Sequence, residues 1–159
     1  MIQLFTELQE KKNVRSNLSA LRASLKEATE EQKAQAIEFV RGHEDLVFGF
    51  LQEEDAKTRK NAALLLGDLA VQNALQPLWK AYTREQTLFV KSAYLEAMKA
   101  LHAEEILSQL KDRLAELEGE PVTEENRKHR EAELRALRAI LIQYEGILSL
   151  IHISEPTRP

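Results

Sequence analysis

Residues 55–70 read DAKTRKNAALLLGDLA and residues 87–101 read TLFVKSAYLEAMKAL. A shift of 32 positions lays Thr58 on Val90, Arg59 on Lys91, Leu66 on Met98 and Leu69 on Leu101. The segments before them, 43–53 (HEDLVFGFLQE) and 74–85 (ALQPLWKAYTRE), obey the same shift, with Leu46 on Leu78 and Phe50 on Tyr82. Apolar residues recur at helical spacing in all four. Each helical pair is too small to bury its apolar face alone, so the pairs 43–70 and 74–101 are expected to stack on a shared core.

Working outward, Ile2, Phe5 and Leu8 predict one helix and Val14, Leu18, Leu21 and Leu25 a second, divided by the polar stretch 11–13. Thr29 with Gln32 fits a capping box for a third helix, whose stripe of Ala36, Ile37, Phe39 and Val40 runs to Gly42. Beyond residue 101, Ile106, Leu107, Leu110, Leu114 and Leu117 are followed by the loop EGEPV, then by Thr123 as a cap and by Leu134, Leu137, Ile140, Leu141 and Tyr144. So short a loop between two long amphipathic helices predicts an antiparallel C-terminal hairpin. The fold class expected is all-α, a solenoid of stacked antiparallel hairpins forming a single domain over 1–147. Composition agrees: 43% hydrophobic, 30% charged and only 6% aromatic residues suit helices with charged outer faces.

The residues Asp55, Thr58, Arg59, Ala62, Ala63, Gly67 and Leu69, followed by Ala74, Leu75, Pro77 and Leu78, resemble the repeat pattern of the HEAT and phycobilisome-lyase-like families. In those families this stretch is the inner helix of one hairpin and the start of the next. The residue types have physical roles: Asp55 caps a helix, Ala62 and Ala63 allow close helix approach, and Arg59 can reach an acidic turn of the adjacent repeat. The pattern departs at Ala70, where a second glycine is usual, at Pro77, one position late, and at Tyr94 and Lys99, which stand where Ala62 and Gly67 do.

No catalytic constellation emerges. His43 opens a helix, His102 closes one, and His129 shares a face with Glu125 and Glu133 at i±4 spacing, which reads as a solvated salt-bridging face. A di-iron bundle needs Glu three residues before the His, and Asn126 stands there. Glu116, Glu118, Glu120, Glu124 and Glu125 flank an exposed loop rather than a cleft, and Glu124 and Glu125 read as favourable charges in the first turn of a helix. A glycine-rich phosphate loop and the G-x-S-x-G motif are absent. No metal and no cofactor are expected. Trp79 and Tyr82 align with Val47 and Phe50 and read as core, whereas Phe89 falls on the flank away from Val90, Tyr94 and Met98 and reads as exposed.

The resemblance implies a concave face lined by inner helices, and periodicity places Lys57, Lys60, Asn61, Phe89, Ser92 and Glu96 on it. This mixed surface suits a protein or peptide partner better than a phosphate backbone, which needs several aligned cations. A net charge of -4 supplies no general attraction for nucleic acid, and no apolar run approaches the ~20 residues of a membrane span. The absence of Cys fits a reducing cytoplasm. The function expected is a non-catalytic interaction or scaffold module. Leu148 to Pro159 (LSLIHISEPTRP) resembles a translated transposon-end sequencing adapter, so the natural chain is expected to continue past Ile147, and His152, Ser154 and Glu155 are left out of any site. The opening MIQLFTELQEKKNVRSNLSALR is also similar to HEAT-bearing N-terminal regions of bacterial proteins that continue into a nucleic-acid methyltransferase. That similarity implies the alternative of an accessory region positioning RNA or a catalytic domain.

Overall fold

The computed structural model describes residues 1–144, so the adapter-like tail 148–159 lies outside it. Within that range the regular structure is helical throughout and no strand occurs. The helices are α1 (Ile2–Gln9), α2 (Val14–Leu25), α3 (Glu30–Gly42), α4 (Glu44–Gly49), α5 (Ala56–Asp68), α6 (Leu75–Arg84), α7 (Leu88–Ala100), α8 (Leu107–Gly119) and α9 (Arg127–Leu141). Contacts gather into two compact units, Met1–Leu101 and a second beginning at His102. Both of the clearest expected repeats fall in the first.

Local chemistry sets the helix ends. Thr29 Oγ1 accepts the Gln32 amide at 3.1 Å while Gln32 Oε1 accepts the Thr29 amide at 3.0 Å, the reciprocal capping box that starts α3. Asp55 accepts the Thr58 amide at 2.9 Å and starts α5. At the other end of α5 the Val71 amide donates to Leu66 O and the Ala70 amide to Gly67 O, each at 3.0 Å, a Schellman closure. That closure places Ala70 at φ 53°, the left-handed region where glycine is free of strain. Pro77 occupies the first turn of α6, where its missing N–H leaves no helical bond unmade.

In the first unit α1 packs on α2, the 3-10 turn that follows α4 packs on α5, and α6 packs on α7. The second helix of each pair then meets its counterpart: α2 lies against α5, and α5 against α7. Leu18, Leu21, Ala62, Leu65, Leu66, Val90, Tyr94 and Met98 fill the space between them and are almost wholly buried. Gly67 permits the closest approach, since a Cβ built there would stand 3.0 Å from the Cα of Ala97. A separate three-ring stack fixes α1 to α3, with Phe5 on Phe39 and Phe39 on His43, each pair at 4.5 Å between centroids.

In the second unit α8 packs against α9 around Leu110, Leu114, Leu117, Leu134, Leu137 and Ile140. Arg130 Nε donates to Leu117 O at 2.9 Å, and Arg113 Nε to Glu133 Oε2 at 3.1 Å. Pairing 117 with 130 and 113 with 133 runs the two helices antiparallel, as the short loop predicts. Arg130 also donates to Glu118 O, so its guanidinium adds to the capping of the C-terminal end of α8, where the Glu120 amide also donates to Leu117 O. The Tyr144 hydroxyl accepts the Ala103 amide at 2.8 Å.

Candidate functional site

The face that α5 and α7 present is set by a buried polar clamp beneath them. Arg59 points from α5 into the turn between α6 and α7, where its Nε and Nη2 donate to Glu85 Oε1 and Oε2, each at 2.9 Å. Its Nη1 donates to the Glu53 and Glu54 carbonyls, each at 2.8 Å. The expected reach of Arg59 to an acidic turn is therefore made, and it is bidentate. Glu85 also accepts the Thr87 amide at 3.2 Å and the Tyr94 hydroxyl at 3.2 Å.

Charge and burial compete at this cluster. Burial pushes the Glu85 carboxyl upward, but hydrogen bonds from Arg59, the Thr87 amide and Tyr94, with the Arg59 charge, outweigh it and leave Glu85 below its ordinary range. The Glu85 hydrogen bonds hold the Arg59 guanidinium above its usual value against the opposing pull of burial. Burial, then the adjacent Glu85 charge, hold the Tyr94 phenol well above its usual value. An open cavity of about 410 Å³ adjoins the clamp, bordered by Gln52, Arg84 and Gln86. Arg59, Glu85 and Tyr94 at its edge satisfy one another, so their geometry is that of a fixed strut between neighbouring helical pairs.

Above the strut, two exposed stripes run along α5 and α7. On α7 the stripe is Phe89, Ser92, Glu96 and Ala100; on α5 it is Lys57, Lys60, Leu64 and Asp68. These are the same positions under the 32-residue shift, and each stripe advances by three or four residues, one helical face. Five of the six residues expected on this face stand on these stripes: Lys57, Phe89 and Glu96 are exposed, and Lys60 and Ser92 partly so. Asn61 differs. It is only 7% exposed, as is its counterpart Ala93 at 4%, because α5 packs against a neighbour on each side and this position turns toward that packing. Leu64, Asp68 and Ala100 complete the face and were legible from the same shift.

Phe89 is the feature that stands out. It is 46% exposed on the first turn of α7, while the other side of that helix is anchored by Val90, Tyr94 and Met98. Tyr82 is buried as expected, but Trp79 is half-buried and lies tilted against Tyr82 at 5.3 Å. The indole is much larger than Val47, its counterpart, and its rim reaches the surface.

Among the described residues no cluster of His, Cys, Asp and Glu is placed to hold a metal ion, and no helix is long and apolar enough to cross a membrane. His129 approaches Glu133 Oε1 at 3.6 Å, but Arg113 already holds that buried carboxylate. No protein-family model, curated protein or solved structure matches the chain.

Proposed function

We propose that the 1–101 unit is a HEAT-like repeat module that works by binding, and that it takes a protein or peptide segment across the stripes of α5 and α7. The observation that carries this reading is Phe89, a large apolar side chain 46% exposed in a row of otherwise polar or small residues. Covering the exposed half of a phenyl ring stabilises a complex by about 1 kcal/mol, and such aromatic anchors commonly dominate an interface. Lys57 and Lys60 beside it supply charge that selects a partner more than it binds one. The HEAT-like assignment is supported by the 32-residue shift, the paired helices that obey it, and the α2, α5, α7 order of contacts.

The test is affinity capture from cells of the source organism with the wild-type chain and a Lys57→Glu/Lys60→Glu/Phe89→Ala variant. All three positions are exposed or partly so, and the two proteins should give the same circular dichroism. The proposal expects a discrete partner that the wild type retains and the variant loses. Recovery of the same proteins by both would refute it.

A further inference from the structure

The consecutive helices α2 and α3 meet the distant end of α5 and border a groove of about 410 Å³. Its floor is apolar: Leu25 from α2, Ile37 from α3, and Leu69 from the end of α5. Its rim is cationic, with Arg22 and Lys26 on one side and Lys33 on the other. The one carboxylate that lines it, Asp68, is held by Arg22 Nε at 2.8 Å. Lys26 and Lys33 are exposed and form no ion pair among the described residues. Glu27, Glu30 and Glu31 lie on the adjoining turn but not in the lining.

Within its own lining the groove thus sets two cations without an ion pair, Lys26 and Lys33, over an aliphatic floor. A ligand complementary to it carries anionic groups flanking an aliphatic one. Phosphate backbones fit poorly, since they need a longer row of cations and gain nothing from the floor. We propose that this groove docks a short acidic segment of a partner protein, with one aliphatic side chain on Leu25, Ile37 and Leu69 and flanking carboxylates on Lys26 and Lys33. The choice of a protein occupant rests on the reading of the unit as an interaction module. The groove itself is a second docking point, formed by side chains other than Lys57, Lys60 and Phe89.

The probe is a fluorescein-labelled peptide with one leucine between glutamates, titrated by fluorescence anisotropy against the full chain at low salt. Saturable binding is expected. It should weaken about ten-fold in Lys26→Glu/Lys33→Glu, by an intermediate amount in Lys26→Gln/Lys33→Gln, and steeply at 0.5 M salt, with a roughly ten-fold change being ordinary for paired charges. A serine in place of the leucine should weaken it about five-fold, the effect of losing one aliphatic contact. The Lys57→Glu/Lys60→Glu/Phe89→Ala variant should bind the peptide as the wild type does, which separates this site from Lys57, Lys60 and Phe89, Asp68 being the one stripe residue that also lines the groove. Absence of saturation up to millimolar chain, or an unchanged curve in Lys26→Glu/Lys33→Glu, would overturn the proposal. Displacement by free pentanoate as effective as by unlabelled peptide would overturn the protein occupant.

Discussion

Gly67→Ala tests the packing of α5 on α7 directly. A Cβ at this position meets Ala97 Cα at 3.0 Å, Ala97 Cβ at 3.2 Å and Ala97 O at 3.4 Å. Carbon atoms rest at about 3.5–4.0 Å, so α7 has to withdraw by roughly half an ångström. Two of the three atoms are backbone in mid-helix, and Ala97 is only 1% exposed, so no rotamer change relieves the contact. Overpacking of this kind costs about 1–3 kcal/mol, and the better helix propensity of alanine returns about 1 kcal/mol. The expected net loss is therefore about 1 kcal/mol. Gly49→Ala is the matched comparison, because Gly49 has helical dihedrals (φ -62°, ψ -30°) and no atom within 4 Å of an added Cβ. There only the propensity gain remains, about 0.5 kcal/mol at a helix end. Urea unfolding followed by Trp79, the only tryptophan, reports the first unit selectively. The two alanines should shift the midpoint in opposite directions, and equal stabilisation by both would refute the close approach.

Three further outcomes follow from the same contacts. Glu85 has a folded pKa below its ordinary 4.5, so its contribution to stability is complete above that pH and is lost as pH falls through the lower folded value. The midpoint of the first unit should accordingly drop below pH 4.5, and in Glu85→Gln that acid limb should flatten while stability at neutral pH falls. Ala70→Gly relieves a left-handed alanine, which costs about 1–2 kcal/mol, against a greater unfolded-chain entropy of about 0.4–1 kcal/mol, and should raise the Trp79 midpoint slightly. Leu137→Ala empties a fully buried position between α8 and α9 and should cost about 2–5 kcal/mol, read as a lower urea midpoint for the loss of helical circular dichroism.

The parts of this structure legible in the sequence are those decided within a turn or two of chain. Thr29 with Gln32 and Asp55 with Thr58 make the capping contacts expected of them, whereas Thr123, expected to cap α9, accepts the Asn126 amide in the turn before that helix, whose N-cap, Asn126, makes no side-chain capping bond. The 32-residue shift located the exposed stripes because it compares positions that face the same way on equivalent helices. Asn61 shows where such reasoning stops. Its place on α5 is fixed by periodicity, but its burial depends on which helices pack beside α5, and those belong to other pairs. The Arg59 contact was legible as a reach to an acidic turn, while the share of Tyr94 in it was not, because Tyr94 occupies a core position and only its hydroxyl meets the cluster. The groove at Lys26 and Lys33 left no local signal at all: its lining joins residues of α2, α3 and the end of α5, and no single helix carries its pattern.

The central claim is that a partner docks on α5 and α7, and site-specific photo-crosslinking tests it most directly. Benzoylphenylalanine is placed in turn at Phe89, at Lys57 and at Gln76, an exposed position on α6, and each protein is irradiated in cells of the source organism. The account predicts the same discrete adduct from positions 89 and 57 and none from 76. An adduct from 76 alone, or none from 89 and 57, would contradict it.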